Sequence, residues 1–171
     1  MDRVRAHIRD IMDFPIPGIV FKDITPVIKD PEALKTAINE LCRPFENVTL
    51  SAVAGMEARG FIFGSLVAYQ LGVGFIPLRK PGKLPYDVKS KSYDLEYGSA
   101  TLEVHTDAVE PGQKILIIDD LLATGGTALA SCELLEELGA DIVSCAFMIE
   151  LKELGGRQKL GGRPVHALLS Y

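Results

Sequence analysis

Apolar residues recur every three or four positions in several parts of the chain, and this spacing predicts helices. The first helix would carry Val4, Ile8 and Ile11 on one face and end at the prolines of DFPIPG. A second begins at DPEALK, where the aspartate can cap the helix and the proline fits its first position. A third spans residues 60–71, and a fourth follows the two glycines of DDLLATGGT.

Short apolar runs between these helices predict strands. The runs VTLSAVAG, VGFIPLR, KILIIDD, DIVSCAFMIEL and PVHALLSY have the pattern of buried strands, and TLEVHTDAV alternates as a half-exposed strand does. Strands that alternate with helices imply right-handed crossovers, and hence a mainly parallel twisted sheet flanked by helices, an α/β fold. Ligands of such sheets bind beyond the carboxyl ends of the strands.

The periodic pattern is lost over residues 80–98, which are polar and rich in lysine and tyrosine. A segment of this length without regular structure, inside a compact domain, is usually functional or disordered. We expect a mobile lid or a hairpin there. Residues 79–91 carry five basic side chains against one acidic side chain, a balance that suits a small anionic ligand.

Length and composition narrow the class of protein. A chain of 171 residues predicts a single domain, residues 1–171. The net charge of −5 argues against a nucleic-acid partner, and the absence of a long apolar run argues against a membrane partner. Cys42, Cys132 and Cys145 are odd in number and far apart in the sequence, which predicts neither disulfides nor a zinc site. A cytoplasmic location is therefore expected.

The string ILIIDDLLATGGT, residues 115–127, carries the clearest chemistry. Its loop would open a helix, where unpaired backbone N–H groups and the helix dipole favour a phosphate group. Glycines let the backbone approach an oxygen closely, and threonine hydroxyls add donors. The loop lacks the lysine of a triphosphate-binding loop and the glycine spacing of a dinucleotide fingerprint. The expected phosphate-binding residues are Ala123, Thr124, Gly125, Gly126 and Thr127.

Asp119 and Asp120 stand side by side directly before this loop. Carboxylates repel phosphate, so the pair needs another partner. Two adjacent hydroxyls of a sugar would supply two hydrogen-bond donors, and a pentose 5-phosphate would therefore fit both the acids and the loop. A capping aspartate before an ordinary glycine-rich turn is the alternative.

The same string resembles the phosphoribosyl-pyrophosphate signature of the type I phosphoribosyltransferases. FPIPGIVFKDITP, GMEARGFIFG, RKPGKLP, SYDLEYG and ELKELGGRQKL, in this order along almost the whole chain, are similar to one branch, the adenine phosphoribosyltransferases. The resemblance implies the type I fold, with a base-binding hood over about residues 1–30 and a lid over about residues 80–100. It also implies a homodimer that makes AMP and pyrophosphate from adenine and 5-phosphoribosyl 1-pyrophosphate, a purine-salvage reaction.

Basic residues near the strand ends are the candidates for binding the diphosphate. Arg59 offers a planar guanidinium that can bind it through two hydrogen bonds, although a surface arginine paired with Glu57 is the alternative. Arg79, Lys80 and Lys83 would neutralise the same group, unless they belong to an ordinary solvated loop. The resemblance further implies a cis peptide bond between residues 57 and 58.

The resemblance also assigns residues to the base. Phe21 would stack on the purine, and the backbone of Val20 and Lys22 would read its edge, whereas the pattern alone would make Phe21 a core residue. Glu96 would be the acid/base on the imidazole side of the purine, although a lone loop glutamate is usually solvated. Tyr97 would help to close the lid.

Mg²⁺ is the expected cofactor, bound through the substrate. The sequence has no motif for a dedicated metal cage, so the ion would arrive on the diphosphate and the sugar hydroxyls. Three alternatives stay open. They are the same transfer to xanthine or hypoxanthine, a regulator that senses the sugar phosphate and binds nucleic acid, and a kinase-like nucleotide binder.

Overall fold

The computed structural model describes residues 1–94 and 98–171, which fall into two compact units, Met1–Glu40 and Leu41–Tyr171. The first unit contains α1 (Asp2–Ala6), β1 (Arg9–Met12), β2 (Val20–Asp23), α2 (Thr25–Lys29) and most of α3 (Pro31–Cys42). The second contains β3 (Ala52–Met56), α4 (Gly60–Leu71), β4 (Gly74–Leu78), β5 (Val88–Asp94), β6 (Ser99–His105), β7 (Lys114–Leu122), α5 (Gly126–Glu136), β8 (Asp141–Glu150), α6 (Gly156–Lys159) and β9 (Val165–Ser170).

In the N-terminal unit, one predicted helix is shorter than expected. The helix that was to carry Val4, Ile8 and Ile11 ends at Ala6, and Ile11 lies in β1, where it pairs with Phe21 of β2. The antiparallel hairpin is closed by a turn in which Asp13 Oδ1 accepts the N–H of Gly18 at 2.8 Å. Backbone pairing across this turn overrides the helical spacing of the apolar residues.

Helix α3 begins as predicted. Asp30 Oδ1 accepts the N–H of Ala33 at 2.7 Å and so caps the first turn. This hydrogen bond, aided by the side chain of Arg3, holds the pKa of Asp30 below its ordinary value. A polar residue at the start of an apolar periodic segment therefore located this helix correctly.

The C-terminal unit is built on a five-stranded sheet in the order β4-β3-β7-β8-β9. All four neighbouring pairs are parallel, which confirms the predicted α/β fold. The central strand β7 is buried over Ile115–Ile118, as expected for a parallel strand covered on both faces. It carries the chain from the core to the acid pair and the glycine loop.

A two-stranded antiparallel hairpin, β5 and β6, stands beside this sheet. Its first strand lies in residues 80–98, where a lid or a hairpin was expected, and pairs with the strand predicted from TLEVHTDAV. The expectation of a mobile lid stays a prediction. Leu102 and Val104 of β6 join the hydrophobic core, as the alternating pattern indicated. Polar residues fill β5, which explains why its sequence gave no strand signal.

The cysteines are core residues, as predicted. Cys42, Cys132 and Cys145 are buried and free. The sulfurs of Cys132 and Cys145 lie 3.4 Å apart, so two residues that are distant in the sequence are neighbours in the core. Burial raises the pKa of the Cys42 thiol to about 11. Within the part of the chain that the structure describes, no helix has the length and apolar character needed to span a membrane.

Gly55 of β3 gives a direct test of the packing between the sheet and α4. A Cβ at this position would lie 2.7 Å from the ring of Phe75 and 2.9 Å from the carbonyl oxygen of Gly60. We expect Gly55→Ala to lower the free energy of unfolding by about 1–3 kcal/mol, because the added methyl group overpacks a filled space. Urea-induced unfolding measures this change.

Gly74→Ala is the matched control. Gly74 lies in β4, which pairs with the strand of Gly55, and a Cβ there would have no neighbour within 4 Å. Its unfolding free energy should stay within about 0.5 kcal/mol of the parent value. Equal losses in both variants would contradict the packing described here.

Candidate active site

The two adjacent acids lie within β7, which continues to Leu122 rather than ending before them as the sequence suggested. Neighbouring residues of a strand point to opposite faces, so the two carboxyl groups separate. Asp119 lines the cavity formed by the glycine loop. Asp120 is buried, and its Oδ2 lies 2.6 Å from Nε of Arg59. The prediction that both acids bind sugar hydroxyls stays a prediction, and the geometry favours Asp119.

Asp119 has an unusual electrostatic environment. Its Oδ1 accepts the N–H of Asp120 at 2.9 Å, and a Cβ on Gly60 would come within 2.9 Å of the same oxygen. Desolvation, followed by the charge of Asp120, raises the pKa of Asp119 well above its ordinary value. Without a ligand, Asp119 therefore holds its proton to a higher pH than an ordinary aspartate does.

The predicted phosphate loop opens a helix, as expected. Gly125 has φ of 80°, a left-handed conformation that suits glycine, and α5 begins at Gly126. The loop forms a cavity of about 80 Å³ that is lined by all five predicted residues. These are Ala123, Thr124, Gly125, Gly126 and Thr127. The N-terminal end of α5 and Asp119 thus share one cavity at the carboxyl end of a buried parallel strand.

Gly156, at the start of α6, supports this loop from the side. A Cβ on Gly125 would lie 2.6 Å from the carbonyl oxygen of Gly156, and a Cβ on Gly156 would overlap the carbonyl oxygen of Ala123. Two stretches of backbone are therefore in direct contact. From the sequence, Gly125 was expected only to contact phosphate, and Gly156 was not identified, although its GG pair lies in a stretch that carried the resemblance.

The chain from Glu57 to Arg59 follows β3. The peptide bond between residues 57 and 58 is cis, as the resemblance implied. Arg59 pairs with Asp120, whereas Glu57 binds Nε and Nη2 of Arg79 at 3.2 Å each. The alternative pairing of Arg59 with Glu57 is therefore not the one observed. Glu57 also accepts the N–H of Lys80 at 3.1 Å, and the hydrogen bond from Arg79 is the main cause of its lowered pKa.

The basic residues after β4 have different surroundings. Besides Glu57, Arg79 binds the carbonyl oxygen of Lys83 through Nη1 at 2.9 Å, so its guanidinium fixes the loop that it belongs to. Lys80 lines a second cavity of about 490 Å³, which also includes Asp119 and Thr127. The second cavity therefore adjoins the phosphate loop and has a basic side chain on its wall.

Part of the positive charge of residues 79–91 is neutralised in the fold by acidic residues from another segment. Lys89 and Lys91 of β5 form ion pairs with Glu137, and Lys91 also pairs with Glu133. These glutamates lie on α5 or directly after it. The two lysines therefore attach the hairpin to a helix, and the expectation that they serve a ligand loses its support.

The residues expected to bind the base lie in the N-terminal unit. Phe21 contacts Phe14 edge to face, with 5.2 Å between the ring centroids. Nζ of Lys22 binds both carboxylate oxygens of Asp10, at 2.8 and 2.9 Å, and Val20 is exposed. Their role towards a base stays a prediction. Glu96 and Tyr97 fall outside the described residues, so their predicted roles are untested.

The donor atoms bear on the expected magnesium ion. Among residues 1–94 and 98–171, no three histidine, cysteine or acidic side chains converge as a metal site would require. Asp120 is engaged with Arg59, and Asp119 faces the cavity. A magnesium ion here would take most of its ligands from water and from substrate oxygens, as this ion commonly does.

The sheet, the glycine loop and the acid before it define a phosphoribosyltransferase, and the family model "Phosphoribosyl transferase domain" matches residues 28–159. Adenine phosphoribosyltransferases of Methylococcus capsulatus and Nitrosococcus oceani are 66% and 61% identical to this chain over 171 residues, which is 100% of both partners in each comparison. The chain belongs to the adenine phosphoribosyltransferase family.

Solved structures agree with this assignment. The crystal structure of adenine phosphoribosyltransferase from Thermoanaerobacter pseudethanolicus superposes with a TM-score of 0.96 at 50% identity, covering 99% of each chain. The Saccharomyces cerevisiae enzyme, complexed with adenine and an imino-altritol bisphosphate, has a TM-score of 0.93 at 38% identity, covering 98% of this chain and 97% of its own.

The raised pKa of Asp119 predicts how the ligand-free protein responds to pH. The folded state binds more protons than the unfolded state between the ordinary value of 3.8 and the raised one, so stability falls as pH rises through this window. Asp119→Asn keeps the acceptor for the Asp120 N–H but never ionises. Its melting temperature should match the parent near the ordinary pKa of an aspartate and exceed it increasingly as the pH rises from there.

Asp120→Asn is the control for this effect. It removes the charge that raises the pKa of Asp119 but also loses the ion pair with Arg59, so it should be less stable than Asp119→Asn at neutral pH. Thermal unfolding of both variants across the pH range, without ligand, makes the comparison. A difference between Asp119→Asn and the parent that does not change with pH would contradict the electrostatic account.

Proposed function

We propose that the protein transfers the 5-phosphoribosyl group from 5-phosphoribosyl 1-pyrophosphate to adenine, giving AMP and pyrophosphate. One observation carries this function: the loop of residues 123–127 and Asp119 share a cavity at the carboxyl end of β7. A sugar phosphate needs an anion site and an acceptor for its hydroxyls in this close arrangement. The family membership of the chain supports adenine as the second substrate.

The loop holds the 5-phosphate of the sugar. Backbone N–H groups at the start of α5 and the hydroxyls of Thr124 and Thr127 donate hydrogen bonds to the phosphate oxygens. Asp119 accepts hydrogen bonds from the ribose hydroxyls, and a magnesium ion on the same sugar would favour its ionised form. Held at both ends, the sugar presents its anomeric carbon to the attacking nitrogen of the base.

The diphosphate leaves from the opposite side of the sugar ring. Cleavage of the anomeric C–O bond puts negative charge on the leaving group, which Arg59 and Lys80 stabilise. Arg59 is 43% exposed while its Nε is held by Asp120, so the buried acid next to Asp119 fixes the direction of the guanidinium. Arg79 acts through its contacts with Glu57 and Lys83, by fixing the loop that carries Lys80.

The base is bound by the hood, for which we keep residues 1–30. Phe21 stacks on the adenine ring, and the backbone of Val20 and Lys22 reads its edge. Glu96 moves a proton on the imidazole side of the base, and Tyr97 closes the lid of residues 80–100. The adenine-bound Saccharomyces cerevisiae structure supports a base site in this family.

Magnesium, a homodimer and a cytoplasmic location complete the proposed function. Magnesium bound through the diphosphate would stabilise the negative charge that develops on this leaving group. Met12, Phe14 and Ile16 are each more than half exposed, and such an apolar surface supports a covering partner. The free cysteines support a reducing compartment.

A direct assay tests the reaction. The protein, magnesium and 5-phosphoribosyl 1-pyrophosphate are mixed with labelled adenine, and mononucleotide formation is followed with hypoxanthine or xanthine as competitors. We expect AMP, with little inhibition by the other bases. If hypoxanthine or xanthine is the better acceptor, the base is wrong, and if no mononucleotide forms with any base, the transferase function is wrong.

Arg59→Ala tests the stabilisation of the leaving group. Loss of one preorganised donor should lower kcat by about 10²- to 10³-fold, because the guanidinium acts where charge develops. Arg3→Ala is the control, since Arg3 lies in α1 and pairs with Asp30. Steady-state kinetics of AMP formation measure both. An unchanged kcat for Arg59→Ala would show that another group takes the charge.

A further inference from the structure

One face of β5 lies along the helix that follows the phosphate loop. Lys89, Lys91 and Tyr93 are two positions apart, so their side chains project from the same face of the strand. Nζ of Lys89 lies 3.2 Å from Oε2 of Glu137, and Nζ of Lys91 lies 2.9 Å from Oε1 of the same residue. The hydroxyl of Thr127 donates to the hydroxyl of Tyr93 at 3.1 Å.

These contacts match the dimensions of the two elements. From Thr127 to Glu137 a helix rises about 15 Å, and from Lys89 to Tyr93 a strand extends about 13 Å. The lysines therefore hold β5 at the C-terminal end of α5 while Tyr93 reaches its N-terminal end. Strand β5 is therefore attached at both of its ends to α5, the helix whose first turn forms the phosphate site.

The bond between Tyr93 and Thr127 lies at the boundary of the two cavities. Thr127 lines both the cavity of the phosphate loop and the larger cavity, and Tyr93 lines the larger cavity. A tyrosine hydroxyl can accept one hydrogen bond and donate another. The Tyr93 hydroxyl therefore determines the direction of the Thr127 hydroxyl when no phosphate is bound.

We infer that Tyr93 is a positioning residue that couples the hairpin to occupancy of the phosphate loop by a sugar phosphate. A phosphate oxygen is a stronger acceptor than a phenol, so the Thr127 hydrogen turns to the bound phosphate. The Tyr93 hydroxyl then donates to the oxygen of Thr127, and this bond is stronger than the one it replaces, because donation to an anion polarises the Thr127 hydroxyl and makes its oxygen a better acceptor. This role deepens the proposed function, on which it rests, by naming the group that connects the sugar-phosphate site to the lid.

Coupling of this kind is reciprocal. If the bound phosphate strengthens the attachment of the hairpin, then removing the attachment must weaken the binding of phosphate by the same factor. The effect should appear in the binding of the sugar phosphate and leave the base unaffected. A purely structural role for Tyr93 would instead lower thermal stability and reduce kcat without this selectivity.

The test is Tyr93→Phe, which removes only the hydroxyl. Calorimetry with ribose 5-phosphate should show Kd raised about 2- to 10-fold, because the variant loses a bond that is stronger in the complex than in the free protein. KM for 5-phosphoribosyl 1-pyrophosphate should rise by a similar factor, while KM for adenine stays unchanged. Tyr86→Phe is the matched control, because Tyr86 is 58% exposed and contacts His105 through its ring.

A double-mutant cycle isolates the bond. Thr127→Val removes the partner hydroxyl, and Tyr93→Phe added to this variant should produce no further change in Kd for ribose 5-phosphate. Equal effects of Tyr93→Phe in the parent protein and in Thr127→Val would overturn the coupling. An unchanged Kd in Tyr93→Phe alone would overturn it too.

The outcomes separate this inference from the proposed reaction. If the parent protein makes AMP and Tyr93→Phe binds ribose 5-phosphate normally, the role of Tyr93 is wrong and the transferase function stands. If the parent makes no mononucleotide but binds ribose 5-phosphate through Tyr93, the coupling stands and the transferase function is wrong.

Discussion

The contact between the backbones of Gly125 and Gly156 is the constraint on which the site depends. Neither residue has room for a Cβ, so the phosphate loop is held between the end of β7 and the start of α6. Because β7 and α6 of the C-terminal unit support it, the loop keeps its N–H groups oriented without a ligand. Preorganised donors of this kind need no rearrangement when phosphate arrives.

Alternation along β7 places the two adjacent acids in different environments. Asp119 faces the cavity with a raised pKa, whereas Asp120 is buried against Arg59. The alternation of a strand thus separates the acid pair that suggested a sugar diol into one carboxyl group at the cavity and one that contacts the guanidinium of Arg59. A second ion pair, between Arg79 and Glu57, has a comparable supporting place. It holds the loop whose residue Lys80 lines the larger cavity.

The sequence predicted those parts of the fold that local pattern controls. The strands of the parallel sheet and the span of α4 followed from apolar runs and glycine stops, and the glycine loop followed from helix-end chemistry. Pairing between distant residues explains the misses. Ile11 entered a strand because of its partner Phe21, and Lys91 looked available to a ligand because the glutamates of α5 are about 40 residues away. Gly156 and Tyr93 act through contacts that no local pattern contains.

A crystal structure of the protein with AMP bound tests the central claim most directly. The account predicts the phosphate of AMP inside the loop of residues 123–127, within hydrogen-bond distance of its N–H groups, and the ribose hydroxyls at the carboxyl group of Asp119. The Gly125 and Gly156 backbones should remain in contact. A nucleotide bound elsewhere, with the loop empty and Asp119 turned away from the sugar, would contradict it.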